Sequence, residues 1–439
     1  MIRGYRLPFF ITILLFGLTP LYSQKIWSLK ECVEYALESN IDIKERAIEV
    51  EQRENLLKQQ LFNYLPSINS SINHSMNWGR SVNLQNLEII HNKLSHATSA
   101  NLGASLNIFE GNIKRYNYQS AQIDLSISQK ESEQIRDQVV AEVIRAYLQL
   151  LLSGELLELS KLNLHESEAQ VARATKLVEA GSAPLSTRLE MEAQASSERV
   201  SLVEARNGVE EARLHLELLL NLPQGERVEP EPMRETTIEL PPTVEELLVG
   251  AERLPQFKIA ELTVERAERE YLAAKGRLLP TIYLSASYGT FFSDGREERF
   301  FEQFKENRNP SMGMGLSIPI LNNLSARSNI KNRKLGIESA RLQQKKGRDE
   351  LYSNVMREHR VLLSQQEKIA ATESNVAAMK ESFNHVKSKF EVGLVNGVDY
   401  SIAKGNLFKA QSELLQSKYH YLFQLKIIDL YLRRALFGE

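Results

Sequence analysis

Apolar residues recur at every seventh position from Val355 to Phe390: Val355, Leu362, Ile369, Val376, Phe383 and Phe390. No proline interrupts the run, and Glu, Lys, Gln and Arg fill most of the places between. A helix with that spacing carries one apolar seam, which only a partner helix can cover. Subtracting 212 from each number gives Val143, Leu150, Leu157, Leu164, Val171 and Val178, apolar without exception. The chain therefore holds two copies of one long seam in the same phase, the mark of an internal duplication.

Taken in order, the pattern predicts a helix opening at Trp27-Ser28-Leu29, with Ser28 as its cap and a break or bend at Asn40. A second helix runs from about Ile41 to Leu65 and is ended by Pro66. The period then changes to two. Over about 67–78, Ile68, Ile72, Met76 and Trp78 share one face, while Asn69, Ser71, Asn73 and Ser75 share the other. A loop is expected from Gly79 to about Thr98. Alternation resumes over about 99–108, with Ala100, Leu102, Ala104, Leu106 and Ile108 opposite Asn101, Gly103, Ser105 and Asn107. Asn112 to Ala180 contains no proline and one glycine, which predicts an unbroken helix about 100 Å long at 1.5 Å per residue. Gly181 to Pro184 turns the chain, and a return helix to about Leu220 keeps the seam through Ala195, Leu202, Val209 and Leu216.

Pro223, Pro230, Pro232, Pro241 and Pro242 mark residues 223–245 as a linker between a first repeat, 24–222, and a second, 246–439. The plan then recurs. Leu279-Pro280-Thr281 matches Leu65-Pro66-Ser67, and strands are expected over about 281–292 and 311–320, with a charged loop between them. A long helix starts near Asn323, turns at Gly393 and returns from about Val398 to Leu436. The offset between halves is 214 before the strands and 212 after them, so the length difference falls where insertions are tolerated.

Composition narrows the setting. Charged residues make up 25% and balance to −2, which gives no basic field for nucleic acid. The single cysteine, Cys32, cannot form an internal disulfide. Arg3 and Arg6 precede the apolar run Leu7–Leu18 and then Thr19 to Ser23, so residues 1–23 read as a secretory signal peptide. The alternative is a retained anchor, for which the run is short. No later stretch has the roughly 18 apolar residues of a membrane helix, so any spanning element must be a strand. Four strands cannot close a barrel, and an open sheet edge is not tolerated in lipid, so membrane strands here would have to be shared among several chains. The competing reading of the same alternation is a soluble hairpin resting on a helix.

The duplicated helix–strand–strand–helix–helix plan, Leu-Pro before each first strand, Val392-Gly393-Leu394 at the second turn, and the opening Trp27-Ser28-Leu29-Lys30-Glu31-Cys32 with Ala36-Leu37 together resemble the outer-membrane efflux protein family, the TolC-type channels. The resemblance covers essentially all of the mature sequence. It implies a mainly α fold with transmembrane β. Duplicated coiled-coil hairpins would form a periplasmic tunnel, and four strands per chain would enter a shared trimeric outer-membrane barrel. It further implies a passive exit duct for tripartite efflux or type I secretion, in which a periplasmic adaptor docks and an inner-membrane pump supplies energy. On this resemblance Ala180, Gly181, Ser182, Val392, Gly393 and Leu394 match the adaptor-docking tips. They read equally as plain glycine turns. Asp399 matches the first acidic residue of the periplasmic aperture, while the second acidic position holds Ile402 and an expected arginine is Val395. The plainer reading of Asp399 is a helix-dipole or solvated acid.

The residues themselves carry no nucleophile motif, phosphate loop or metal signature, so neither an enzyme nor a cofactor is expected. His91 and His96 read as solvated loop residues. A soluble periplasmic coiled-coil adaptor or scaffold is the alternative function.

Overall fold

The computed structural model describes residues 26–82, 89–232, 241–294, 299–321 and 323–434. The expected signal peptide and residues 233–240 of the linker lie outside them. The elements are β1 (Ile26–Trp27), α1 (Leu29–Ser39), α2 (Ile41–Phe62), β2 (Ser67–Val82), β3 (Ile89–Glu110), α3 (Ile113–Glu179), α4 (Leu185–Leu220), β4 (Glu229–Pro230), α5 (Val244–Ala251), α6 (Pro255–Gly276), β5 (Thr281–Ser293), α7 (Phe300–Glu306), β6 (Asn309–Ser317), α8 (Ser325–Glu391) and α9 (Gly397–Leu432).

The duplication is kept to the residue. Helices α2 and α6 both have 22 residues and start 214 apart; α3 and α8 both have 67 and start 212 apart; α4 and α9 both have 36 and start 212 apart. Their ends match too. Asn221 and Arg433 close the return helices in the left-handed conformation, and Asn112 and Leu324 open the long ones in it. Asparagine adopts that conformation readily, whereas Leu324 and Arg433 must be held there by the chain around them.

Local chemistry sets the remaining boundaries. Ser28 and Glu31 form a capping box at α1, and Asn40 is both the end of α1 and the cap of α2, accepting from the N–H of Asp42. The seam positions face inward: Val143, Leu150, Leu164, Val355, Leu362, Ile369 and Phe383 are buried. One buried cluster joins α1, mid-α3 and α4 through Cys32, Val143, Tyr147 and Leu216. A second joins α5, α8 and α9 through Leu247, Leu362, Tyr421 and Ile428. A third joins the far ends of α3, α4, α8 and α9 through Ala174, Met191, Phe383 and Tyr400. In the short parallel sheet, β1 pairs with β4, so the linker is tied back to the start of the first repeat.

The other sheet has four antiparallel strands in the order β2-β3-β5-β6. Four expectations are corrected here. The loop expected from Gly79 to Thr98 is mostly strand, because Gly79 at φ +125° takes up an irregularity between Gly79 and Ser81 and pairing continues beyond it. His91 and His96 therefore belong to β3 and not to a loop; the His96 ring stacks on His74 at 5.7 Å. The charged segment between β5 and β6 contains the short helix α7. Strand β6 stops at Ser317, short of Ile320, where Pro319 lacks the N–H that a further ladder bond needs.

Candidate functional site

The sheet's register puts like residues on like faces across all four strands. Ile68 pairs with Ala104, Ala104 with Ala286, and Ala286 with Met312; one step along, Ser67 pairs with Ser105, Ser105 with Ser285, and Ser285 with Gly313. One face is therefore mainly aliphatic, with Ser70, His74, His96 and Thr98 on it, and the other mainly Asn, Ser and Gly, with Tyr283 and Phe291 among them, as the alternation predicts in outline. The aliphatic face has nothing packed on it over most of its area: Ile72, Trp78, Met312 and Met314 are each about three-quarters exposed (76%, 75%, 75% and 76%). A soluble domain does not leave a sheet face of that kind in water. The polar face suits contact with water, with Ser67 and Ser105, and Ser287 and Ser311, bonded across strands.

At the opposite end of the molecule, both helix hairpins turn by the same device. Gly181 and Gly393 have φ of +69° and +76°, where a side chain would be strained. The N–H of Ser182 donates to the Leu177 carbonyl at 2.8 Å and that of Leu394 to the Lys389 carbonyl at 2.9 Å. These bonds cap the last free carbonyls of α3 and α8. Ala180, Gly181, Ser182, Val392, Gly393 and Leu394 are all exposed, Val392 at 70% and Leu394 at 74%. The two turns lie side by side. The Arg173 guanidinium, from α3, sits 3.1 Å from the Glu391 carboxylate at the end of α8 and also donates to its carbonyl. A groove between them is lined by residues of both turns and by Asp399. Gly397 is buried where α9 begins, and a methyl group there would lie 2.5 Å from Glu190 Oε2.

Asp399 is exposed in the first turn of α9, and its N–H donates to the side chain of the cap residue Asn396 at 2.9 Å. That places an acid where the helix dipole favours one. Val395 is half-buried and Ile402 exposed.

One turn further along α9 lies a charged cluster that the sequence reading did not single out. Lys404, 1% exposed, donates to the Asn163 carbonyl at 2.6 Å, to Ser167 Oγ at 2.5 Å and to both oxygens of Glu198 at 3.1 Å. It binds α9 to α3 and α4 at once. Burial lowers its pKa from the ordinary lysine value, and Glu198 acts in the opposite sense. The signal was present in the sequence: Lys404 follows Tyr400 by four and precedes Leu407 by three, so a charge stands on the apolar stripe. Among the described residues no group of His, Cys, Asp and Glu is arranged to hold a metal, and no helix is long and apolar enough to cross a membrane.

The model of the outer membrane efflux protein family matches residues 32–222 and 251–431, that is, both repeats. The chain belongs to that family. It is similar to the outer membrane efflux protein BepC of Brucella suis, with 22% identity over 335 residues, 74% of this chain and 70% of that protein. It is also similar to the alkaline protease secretion protein AprF of Pseudomonas aeruginosa, with 23% identity over 316 residues, 70% of this chain and 63% of that protein. The fold matches that of the Campylobacter jejuni CmeC outer membrane channel at a TM-score of 0.77, with 16% identity over 92% of this chain and 85% of that one. This efflux protein is thus an outer-membrane exit channel with its helices in the periplasm, and not an enzyme. The exposed aliphatic sheet has its explanation in that location.

Proposed function

We propose that three copies of this efflux protein pool their strands into one twelve-stranded barrel through the outer membrane, while their helices enclose the periplasmic tunnel. One observation carries the reading: a four-stranded sheet with faces of opposite polarity and open edges at β2 and β6. Unpaired edge groups are costly in lipid, and bacterial barrels need about eight strands or more. Strand β6 of one copy would pair with β2 of the next, and a rotation that closes on itself satisfies every edge. The Asn, Ser and Gly face then lines a water-filled lumen, and cargo passes without chemistry.

At the tips, a periplasmic adaptor would dock on the two turns. Small residues let helices approach closely there, and exposed Val392 and Leu394 offer apolar contact. An inner-membrane pump would supply the energy through that adaptor. The names of the relatives, one for efflux and one for protease secretion, support a duct of this kind. Three Asp399 carboxylates around the axis would narrow the periplasmic mouth and draw cations to it. The residue boundaries proposed for processing and repeats are a signal peptide over 1–23, repeats over 24–222 and 246–439, and the linker over 223–245.

Two measurements test the reading. The mature chain, extracted from outer membranes in mild detergent, should run unheated as a trimer of a 50.1 kDa chain (less its leader) and as a monomer after boiling. In planar bilayers it should open pores, and Asp399→Ala should weaken block by divalent cations. A water-soluble monomer without pores would defeat the barrel, and unchanged block would defeat the acidic ring alone.

A further inference from the structure

Strand β5 outlasts its neighbour β6. Their pairing ends at Gly289 with Asn309, yet β5 continues to Ser293. On the side where β6 is missing, the backbone of β5 is completed by side chains from α7 and the residue after it. The Gln303 amide accepts from the Ser293 N–H and donates to the Ser293 carbonyl, both at 3.0 Å. Asn307 Nδ2 donates to the Phe291 carbonyl at 2.7 Å. Gln303 is fully buried in doing this. A strand end bathed in water would gain little from so close a substitute, because water would satisfy the same groups. A strand end in or beside lipid needs it.

The helix also has a definite side. Thr290 and Phe292 belong to the aliphatic face by alternation with Ala286 and Tyr288. Thr290 Oγ1 donates to the Phe304 carbonyl at 2.7 Å, and the Phe292 ring meets Phe300 at 4.9 Å. Phe300 in turn stacks on Phe304 at 4.6 Å and meets Phe301 edge-on at 5.3 Å. Helix α7 therefore rests on the aliphatic face, at the strand ends farthest from the helical tunnel. There it holds out Phe301, which is 82% exposed. Trp78, on the same face of β2, lies toward the same end of the sheet.

We infer that α7 is an aromatic anchor in the external leaflet of the outer membrane, with Phe301 and the edge of Phe300 inserted at the boundary between acyl chains and headgroups. Aromatic rings favour that depth, and the face on which α7 lies is continuous with the band that meets the acyl chains. The partner is the lipid itself. A loop of this size would otherwise extend into water, and its fixed seat on β5 makes it part of the lipid-facing wall.

The inference rests on the strands crossing the membrane with their aliphatic face outward, so the test follows both positions. Phe301→Cys and Ile72→Cys channels, each carrying an environment-sensitive fluorophore, are reconstituted into phospholipid vesicles with spin-labelled acyl chains or with iodide outside. Native Cys32 is fully buried and is not labelled in the folded protein. The position-301 probe should lose most of its emission to the lipid-borne quencher and little to iodide. Quenching by iodide would make α7 a solvated loop, and quenching by neither would mean that a second subunit covers it; both outcomes overturn the anchor. If the probe at position 72 also escapes the lipid quencher, the spanning sheet falls with it. Lipid quenching at position 72 but not at position 301 removes the anchor alone.

Discussion

Lys404 is a buried charge held between three helices. Removing one partner of a buried ion pair costs about 3–5 kcal/mol, because the other charge stays behind without compensation, while replacing both with apolar groups is often neutral. Lys404→Met should therefore lower the unfolding midpoint of the helices sharply, and Lys404→Met combined with Glu198→Leu should recover most of the loss. Urea titration followed by far-ultraviolet circular dichroism would read both. Two glycines make a second case. A methyl group on Gly276, at the end of α6, would collide with the Gly111 carbonyl, and one on Gly111 would collide with that of Gly276. Gly111 also sits at φ +58°. Neither residue has a glycine partner in the other repeat, where Phe62 and Asn323 stand, so this contact belongs to one junction only. Gly276→Ala should cost about 1–3 kcal/mol by overpacking, whereas Gly336→Ala, with open space around it, should be neutral or stabilising in the same titration.

For the strands, the two faces make opposite predictions from neighbouring residues. Ile72 lies on the aliphatic face and Asn73 on the polar one. A lysine facing lipid near the middle of the membrane costs about 2–4 kcal/mol, so Ile72→Lys should reduce the heat-resistant membrane form seen on unheated gels. Asn73→Lys should assemble normally and shift the reversal potential of the pore toward anions. The strands were legible because their polarity alternates with a period of two, and no proline falls within β2, β3 or β5. Their ends were not. Where β2 and β3 stop depends on a bulge at Gly79 that lets pairing resume, and a glycine in sequence reads as a break. Helix α7 was hidden for a related reason: seven residues are too few for a helical period to show, and α7 is held by Gln303 and Asn307 reaching β5, contacts that only the fold creates.

At the scale of the whole molecule, buried tyrosines tie the long helices to distant parts of the chain or pack within their core, and they set a limit on alkaline stability. Tyr147 lies 3.0 Å from the carbonyls of Trp27 and Glu231, and Tyr419 donates to Glu155 at 2.7 Å. Burial raises the pKa of both above the ordinary 10.0, as it does for Tyr400, whose hydroxyl has no hydrogen-bond partner among the described residues. Above pH 10 an unfolded chain loses these protons while the folded one keeps them, so stability is full below that value and falls as pH rises through it. Lys404 acts in the opposite direction only up to its ordinary 10.5, beyond which the tyrosines act alone. The helical signal should therefore melt at progressively lower temperature above about pH 10, and Tyr419→Phe should blunt that trend in a series of thermal scans.

The sequence by itself determined the duplication, the length of the helices, their turning points and the polarity of the strands. All of these are periodic, and a period is a local property that repeats until proline, glycine or asparagine interrupts it. The side-by-side seating of the two turns, the buried bridge from Lys404 across three helices, the meeting of Gly111 with Gly276 and the seat of α7 on β5 were decided only by tertiary structure. The first three join residues far apart in the chain and the last joins residues with no shared period, each through one distance or one angle, and no spacing along a sequence encodes that.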